Sequence, residues 1–498
     1  MQQNRAIPRR ALVIGAGLGG LSCGIILAGL GCEVTILERN SRPGGLLRSY
    51  KRGGIDCEVG VHYLGSLDPG QVLHRFFDFL GVIDRIPVVR MGAEQVIDRY
   101  LFNCAEPDQW HFDMVSGLDE YGENLRRAFP ADARAVDIIM EGIAGAAEQL
   151  HGLDLLYGAD NDLSLLDQAL PLGELLDDLG VSPGLRSVLA VPSCWLGVPL
   201  ADCPVFYHNM ALASYVSSSY RLLRSGAVLA DVLARRFEEL GGTIRTGAEV
   251  ESVLVNSRQA AGVTLATGEQ LPASLLIAAI HPKVLLAMLP EKGAVRPSYR
   301  QRINSIIDTH SIFSLHARVD SDHHPPLDHN IFRVDTDADG NVPDMRYYQF
   351  RRTGQEKTTL LSILTSGSEE KWTPWESTFT GRRGREYLQV KEEHAYRLLR
   401  EAEDLFGAFS GLELLDSYTP LTIRDWVNSP GGSAYGVQRS ASRMLATALL
   451  NRTSVQGLYL AGQSVMAPGV IGTIMGSFAT IKLILGSEVF RENIVIPR

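Results

Sequence analysis

A strand–turn–helix pattern built around three glycines opens the sequence. Residues 11–14 are apolar and predict a short buried strand, and Gly15, Gly17 and Gly20 follow it. In such a pattern the first glycine allows a tight turn, the second lets backbone approach a pyrophosphate, and the third lets the next helix pack on the strand. A helix over residues 19–28 would direct its free N–H groups at the phosphates. The pattern predicts a dinucleotide-binding unit.

Glu38 supports the same prediction. It ends a second predicted strand at 33–37 and follows Gly20 at close to the spacing of about 20 residues expected for a ribose-binding acid. A carboxylate there accepts hydrogen bonds from ribose hydroxyls and repels a 2′-phosphate. A glycine-rich turn in another kind of protein is the alternative, and the order of strand, glycines, helix, strand and acid favours the dinucleotide.

Two later blocks extend this pattern. The block at 226–282 predicts a helix that ends at Gly241-Gly242. Strands follow, the last two completing a small meander: 243–245, 250–255, 262–265 and 275–279. The C-terminal block, 457–485, predicts a strand at 458–461, a tight turn at Gly462, a glycine-rich loop and a helix whose N-terminus could meet a second polar group. A glycine turn near each end of the chain suits a resident flavin held at both ends better than a nicotinamide that comes and goes.

Composition excludes several classes of function. A chain of 498 residues predicts two or three lobes. Its 45% hydrophobic and 21% charged residues are typical of soluble globular proteins. The net charge of −10 leaves no basic surplus to neutralise phosphates, so we expect no nucleic-acid partner.

Cysteine spacing and the N-terminal segment predict the compartment. The six cysteines form no CxxC pair and no zinc spacing, and so read as reduced thiols. The first predicted strand leaves no room for a signal peptide before it. We expect a cytoplasmic protein, with contact to a membrane surface as an alternative. No metal is expected, because the His- and Asp-rich stretch at 320–330 has irregular spacing and two prolines that favour an exposed loop.

The apolar stretch at 465–485 has about the length that a bilayer crossing requires. Pro468 and three glycines interrupt it, and it follows the turn at Gly462. We therefore expect a buried helix against a cofactor rather than a membrane span.

Four motifs carry a resemblance to a known family: "ERNSRPGGLLRSYKRGGIDCEVGVHYLGSL" at 38–67, with "GVHYLG" at 60–65 inside it, "TPLTIRDWVNSPGGSAYG" at 419–436 and "YLAGQ" at 459–463. They resemble the FAD-dependent flavoprotein family of phytoene desaturases, carotenoid isomerases and all-trans-retinol saturase, within the amine oxidase superfamily, and most closely its retinol saturase-like branch. The resemblance implies an α/β fold. A Rossmann-type FAD-binding domain, glutathione reductase-like and amine oxidase-type, would carry an inserted α+β substrate-binding lobe.

The same resemblance divides the chain into five segments. FAD-binding parts would lie at 1–67, 221–284 and 431–498, and the substrate lobe at 68–220, which is largely helical, and 285–430. Two departures from the family pattern stand out: Leu46 and Leu47 precede Arg48 after the double glycine, and Gln463 replaces the acid of the desaturases. The implied FAD-binding residues are Gly15, Gly17, Leu18, Gly19, Gly20, Glu38, Arg39, Gly44, Gly45, Leu46, Arg48, Val61, His62, Val250, Gly462, Gln463, Gly469, Val470 and Ile471.

His62 and Tyr63 are the candidate catalytic residues, because they follow the flavin loop where relatives approach the isoalloxazine ring. His62 could exchange a proton as a hydride moves, or it could be a structural histidine that bonds to backbone carbonyls. For Tyr63 the sequence favours a packing residue with a satisfied hydroxyl over a proton donor. His281, before Pro282, is expected to cap a strand end.

The resemblance implies an FAD-dependent oxidoreductase that saturates or desaturates a carbon–carbon double bond in a lipophilic polyene, isoprenoid or long acyl chain, free or carrier-bound. The apolar, aromatic stretch at 188–216 could line a tunnel for it, but plain core packing is the default interpretation of this stretch. A cis–trans isomerase of a carotenoid-like polyene, an amine oxidase-type flavoenzyme and a non-enzymatic lipid- or prenyl-binding protein remain alternatives. The electron partner stays open.

Overall fold

A parallel five-stranded sheet is the centre of the computed structural model, which describes residues 7–92, 95–103, 109–158, 169–367 and 369–497. Within these residues its strand order is β10–β2–β1–β14–β20, and all neighbours are parallel. The α/β prediction is confirmed. The strands are Arg10–Ile14 (β1), Glu33–Glu38 (β2), Thr243–Thr246 (β10), Leu276–Ala278 (β14) and Leu458–Leu460 (β20).

Three helices cover this sheet. Leu18–Gly29 is buried along almost its whole length and packs between Gly226–Glu239 and Gly469–Leu485. A helix enclosed in this way needs no polar face, which explains its continuous run of apolar and small residues. Segments from the beginning, middle and end of the chain therefore build one core.

The structure corrects the predicted meander. Residues 275–279 do not belong to it: β14 lies between β1 and β20 in the parallel sheet. Its three residues are all buried, as a central parallel strand requires, so they carry no alternating pattern that could identify their partner. The meander is made instead by the antiparallel strands Val250–Asn256 (β11), Gln259–Leu265 (β12) and Gln270–Pro272 (β13).

A seven-stranded mixed sheet forms the second body, in the order β19–β15–β18–β17–β16–β7–β8 within the described residues. Alternate residues of its strands face two different cores: Tyr347 packs with the helical layer around Leu189, and Tyr348 packs with Leu398 of the long helix Gly384–Phe406. Its strands are Val96–Phe102 (β7), Trp110–Val115 (β8), Ile312–Asp320 (β15), Asn330–Asp335 (β16), Asp344–Arg352 (β17), Thr358–Ser366 (β18) and Glu413–Tyr418 (β19).

Two small sheets connect these bodies. They are formed by Ser49–Arg52 (β3) with Ile55–Glu58 (β4), and by Leu64–Gly65 (β5), Val88–Arg90 (β6) and Ser219–Leu222 (β9). In the part of the chain that the structure describes, the remaining α-helices are Val72–Phe79, Leu118–Ala128, Ala133–Gly152, Asp154–Tyr157, Leu172–Leu179, Pro183–Trp195, Val205–Ser217, Pro282–Met288, Pro297–Asn304, Glu369–Trp372, Pro420–Val427, Met444–Thr447 and Ser487–Asn493.

The helix Val72–Phe79 packs with the first body, although it follows the predicted boundary at residue 67. Its Phe76 ring stacks on Phe478 with the ring centroids 5.1 Å apart. Both side chains belong to the core under the parallel sheet. The five-segment division of the chain stays a prediction.

The apolar C-terminal stretch forms a buried helix, Gly469–Leu485, in agreement with the prediction. Within the described residues, no single helix has the length and apolarity to cross a membrane. This helix and Ser487–Asn493 meet those criteria together, but they bend by 118° at the break between them.

Replacing Phe478 by alanine tests the packing between chain ends. The side chain is fully buried, so the loss of its contacts should lower the free energy of unfolding by about 3–5 kcal/mol. Urea denaturation followed by tryptophan fluorescence measures this change. Phe379→Ala is the matched control, because Phe379 is 67% exposed and its removal should cost less than about 1 kcal/mol. Equal losses in both variants would contradict the packing described here.

Candidate functional site

A cavity of about 860 Å³ begins at the carboxyl ends of the parallel strands and extends to the seven-stranded sheet. Gly15, Glu38 and Ala279, at the ends of β1, β2 and β14, line it at one side. Phe332 and Tyr347 of the second sheet line it at the other. Ligands of open α/β sheets bind beyond the carboxyl ends of the strands, so this is the expected location of a cofactor.

Glycines bring the backbone segments around this cavity into close contact. Gly15 has a φ of +97°, and a Cβ on Gly20 would lie 1.9 Å from the Gly15 carbonyl oxygen. A Cβ on Gly19 would lie 2.6 Å from the Cα of Gly462. A Cβ on Gly17, in contrast, would meet only Gly45, 3.9 Å away, so the missing side chain leaves open space in the cavity. We call the cavity-lining set Gly15, Gly17, Gly44, Gly45 and Gly462 the glycine cradle.

Two helices begin at the wall of the cavity. Gly17 precedes Leu18–Gly29 and Pro468 precedes Gly469–Leu485, and no side chain caps either helix. Their first N–H groups and the positive ends of their dipoles therefore remain available to an anionic or polar ligand. One uncapped terminus and the cradle suit a pyrophosphate, and the second terminus suits a polar ring edge.

Glu38 is 6% exposed and lines the cavity at the end of β2. Its Oε2 accepts a hydrogen bond from the Ala16 N–H at 2.9 Å, and its Oε1 accepts from the backbone and side chain of Asn40 at 2.9 and 2.8 Å. The carboxylate is thus fixed to the glycine turn itself. Its remaining lone pairs can accept from a ribose diol.

Most of the predicted FAD-binding residues lie on the cavity wall. Gly20 and Arg48 do not. Gly20 lies behind the turn, against the Gly15 carbonyl, and the Arg48 guanidinium donates to the carbonyl oxygen of Arg42. Both therefore support the loops rather than the cavity surface. On the wall are Gly15, Gly17, Leu18, Gly19, Glu38, Arg39, Gly44, Gly45, Leu46, Val61, His62, Val250, Gly462, Gln463, Gly469, Val470 and Ile471.

His62 lines the cavity with an imidazole that has no hydrogen-bond partner at either nitrogen in the described part of the chain. Its side chain is 13% exposed, and Nδ1 lies 3.4 Å from Oε2 of Glu58. Its ring packs against Tyr347 with the centroids 5.4 Å apart. A buried polar group without a partner costs about 1–3 kcal/mol. The position therefore suits contact with a ligand and does not match a histidine that bonds to backbone carbonyls.

Glu58 and Arg351 form a buried ion pair below His62. Nε2 of the neighbouring His316 donates to the Glu58 carbonyl oxygen, and its Nδ1 bonds to Ser362 Oγ, each at 2.9 Å. Burial lowers the pKa of His316 to about 4, so this histidine is neutral at physiological pH. The two histidines thus differ: His316 is structural, and His62 faces the cavity.

Tyr63 also lines the cavity, and its hydroxyl donates to Oδ2 of Asp98 at 3.1 Å. Asp98 is fully buried in β7, and this burial raises the pKa of its carboxyl to about 7. Sequence reasoning missed Asp98. The available signal was an acid in the middle of the apolar strand sequence "VIDRYLF".

The structure corrects the role of His281. It caps the beginning of the helix Pro282–Met288 rather than the end of a strand, because Nδ1 accepts from the Lys283 N–H. Its Nε2 lies 2.9 Å from an Asp308 carboxylate oxygen. The stretch at 320–330 forms the end of β15, a loop and the first residue of β16, and among the described residues no group of three His, Cys, Asp or Glu side chains is placed to hold a metal.

The predicted tunnel stretch divides between core and cavity. Residues 188–193 are buried in the helical layer. The following residues line the cavity: Cys194, Trp195, Leu196, Gly197, Val198, Pro199, Phe206, Tyr207, Met210, Ala211, Ser214 and Tyr215.

Comparison with known families agrees with this geometry. The family model described as "Flavin containing amine oxidoreductase" matches residues 18–477. The chain belongs to this family. It is a flavoprotein oxidoreductase with FAD as its cofactor, and the predicted family resemblance is confirmed.

Individual relatives are distant but cover nearly the whole chain. The all-trans-retinol 13,14-reductase of Rattus norvegicus is 23% identical over 97% of this chain and 86% of the relative. Among solved structures, wild-type putrescine oxidase bound to putrescine gives a TM-score of 0.64 at 15% identity, over 96% of this chain and 99% of that one. The CLA-producing fatty acid isomerase from P. acnes gives a TM-score of 0.60 at 13% identity, over 96% of this chain and 99% of that one. These two structures show the fold alone.

Replacing Glu38 by arginine should weaken FAD binding. The variant loses charge-assisted hydrogen bonds worth about 1.5–3 kcal/mol, which raises the dissociation constant roughly tenfold or more. Flavin content and fluorescence titration of the apoprotein measure the change. Glu38→Gln should have a smaller effect, and Glu33→Arg, at an exposed position on the same strand, should have none. An unchanged flavin content in Glu38→Arg would refute the assigned role.

Asp98 should make stability depend on pH. Its pKa is about 7 in the folded protein and about 3.9 in an unfolded chain. Because the pKa of Asp98 is higher in the folded state, its protonation contributes to the free energy of unfolding. That contribution is complete below about pH 4 and is lost as the pH rises through about 7. Relative to Asp98→Asn, the free energy of unfolding of the wild type should fall by at most about 4 kcal/mol across this pH interval. Urea denaturation at each pH measures the difference, and a pH-independent difference would contradict the assignment.

Proposed function

We propose that the protein changes the saturation of one carbon–carbon double bond in a lipophilic polyene, isoprenoid or long acyl chain. The observation that carries this proposal is the continuity of the glycine cradle with an apolar and aromatic cavity. Trp195, Phe206, Met210, Phe332 and Leu364 are among the residues of its wall.

The charge of the wall supports an uncharged substrate. Within the described residues no lysine lines the cavity, and its one arginine, Arg39, lies at the ribose end beside Glu38. Glu249 and Asp344 are the other charged groups. A wall of this kind stabilises a long hydrocarbon by removing it from water, at about 25 cal/mol per Å² of apolar area. The retinol 13,14-reductase relatives, matched over most of their length, support the same class of substrate.

The reaction requires a proton donor or acceptor beside the flavin. FAD supplies the hydride chemistry when it is bound and reduced. The protein's own contribution is to hold the chain against the flavin, to exclude water, and to provide or accept a proton at the second carbon. We assign this proton transfer to His62 and Tyr63, which are adjacent on the cavity wall.

Anaerobic incubation with substrates of each class tests the proposal. Oxidised and reduced enzyme are each mixed with a polyene, an isoprenoid and a long acyl ester, and the products are analysed by mass spectrometry. We expect a gain or loss of two hydrogens in at least one class.

Three outcomes would contradict this function. An unchanged mass with altered chromatographic retention would indicate an isomerase. Release of hydrogen peroxide with simple amines, and none with lipophilic alkenes, would indicate an amine oxidase. Tight binding of all three lipids without turnover in either redox state would indicate a lipid-binding protein.

A further inference from the structure

A buried polar network lies directly behind the cavity wall at Tyr63. It consists of Tyr63, Asp98, Arg221, Asn330 and Tyr347, which come from five separate parts of the chain. Asp98 and Asn330 are completely buried. Tyr63 and Tyr347 are the members that line the cavity.

Arg221 determines how the Asn330 amide is oriented. A guanidinium can only donate, so the oxygen of the amide must face it, and Nη2 of Arg221 lies 2.7 Å from Oδ1 of Asn330. The Tyr347 hydroxyl donates to the same oxygen at 2.9 Å. The amide nitrogen is therefore directed at Asp98, and Nδ2 donates to Oδ1 of Asp98 at 2.7 Å.

This orientation decides which oxygen of Asp98 can carry a proton. Oδ1 already accepts from Asn330, so a proton on Asp98 must be on Oδ2, the oxygen that faces the Tyr63 hydroxyl. When Asp98 is ionised, Tyr63 donates to it. When Asp98 is protonated, Asp98 donates to the tyrosine oxygen, and the Tyr63 proton is free to point into the cavity. The direction of one hydrogen bond thus follows the charge of Asp98.

Among the described residues Asp98 has no ion-pair partner, and although the charge of Arg221 lowers the pKa of its carboxyl, burial raises that pKa by more. Arg221 bonds to Asn330 and to the backbone carbonyls of Leu327 and His329. The other titratable groups that face the Asp98 carboxyl are Tyr63, Tyr347, Tyr215 and Tyr100. An unpaired, fully buried carboxyl favours its neutral form, which is the form that can release a proton.

We propose that Tyr63 delivers the proton of the saturation reaction to the substrate and that Asp98 is the positioning residue that re-protonates it. The inference rests on the proposed function. Bound, reduced FAD would supply the hydride, with its electron pair, for one carbon of the double bond. The O–H bond of Tyr63 breaks as the second carbon gains its proton, the Asp98 proton passes to the tyrosine oxygen, and the carboxylate left behind is re-protonated from solvent. In desaturation the same protons move in reverse.

Asp98→Asn is a close structural test. Its amide oxygen can accept from Asn330 and its amide nitrogen can donate to Tyr63, so the variant copies the protonated state without a transferable proton. Saturation should slow by about 100-fold or more, and the fall in wild-type activity as the pH rises through about 7 should disappear. Tyr63→Phe should show the same two changes. His62→Gln should keep the pH dependence near 7, whatever its rate.

Infrared difference spectroscopy on the flavin-loaded enzyme, without substrate, gives a readout that does not depend on turnover. The wild type should show the C=O band of a buried carboxylic acid that disappears as the pH rises through about 7. Asp98→Asn should lack this band, and Tyr63→Phe should shift its frequency because the hydrogen-bond partner is gone. Asp113→Asn, which removes a carboxylate paired with Arg99 on the neighbouring strand, should leave the band unchanged.

The pH dependence of activity and the infrared spectra together distinguish a failure of the relay from a failure of the proposed function. A missing band in the wild type, or a band that Tyr63→Phe does not shift, would overturn the relay even if the enzyme saturates alkenes. If the pH dependence of activity survives in Asp98→Asn and vanishes in His62→Gln, the proton donor is His62 and the proposed relay is wrong. If the bands behave as expected and no alkene reacts, the proposed function fails and the proton-delivery role fails with it.

Discussion

The contact between the two ends of the chain is the constraint on which the site depends. The helix Leu18–Gly29 approaches the turn at Gly462 so closely that a Cβ on Gly19 would lie 2.6 Å from the Gly462 Cα. The Ser477 hydroxyl of the C-terminal helix donates to the Gly19 carbonyl at 3.1 Å. Both uncapped helix ends are thereby held at one cavity. Without this contact the cradle would have one half only.

The second constraint is the attachment of the loop that carries His62 and Tyr63 to the seven-stranded sheet. Glu58 at its beginning pairs with Arg351 of β17, and Tyr63 at its end bonds to Asp98 of β7. Between them, the His62 carbonyl oxygen accepts from Gln349 Nε2 at 3.3 Å. The seven-stranded sheet therefore positions this loop at the cavity wall. The body around the parallel sheet and the body around the seven-stranded sheet share one wall of the cavity.

Sequence reasoning succeeded where the determining residues are neighbours in the chain. The glycine turns, Glu38 and the apolar helices follow local periodicity and spacing, and the structure places them as expected. Strand β14 was assigned to the wrong sheet because an all-buried strand carries no alternation that identifies its partners. Asp98, Arg221 and Asn330 were missed because their chemistry arises only when β7, β9 and β16 meet. Each alone resembles an ordinary polar residue in an apolar segment.

The contact between Gly19 and Ser477 joins segments that are synthesised far apart in time. The ribosome completes Gly19 long before Ser477, which is 458 positions later and contacts it in the folded protein. During most of translation the first glycine turn and its helix lack the surface that finally covers them. Long-range contacts of this kind slow folding and leave apolar segments exposed to aggregation in the meantime. The complete glycine cradle can therefore form only after residues 457–485 have left the ribosomal tunnel.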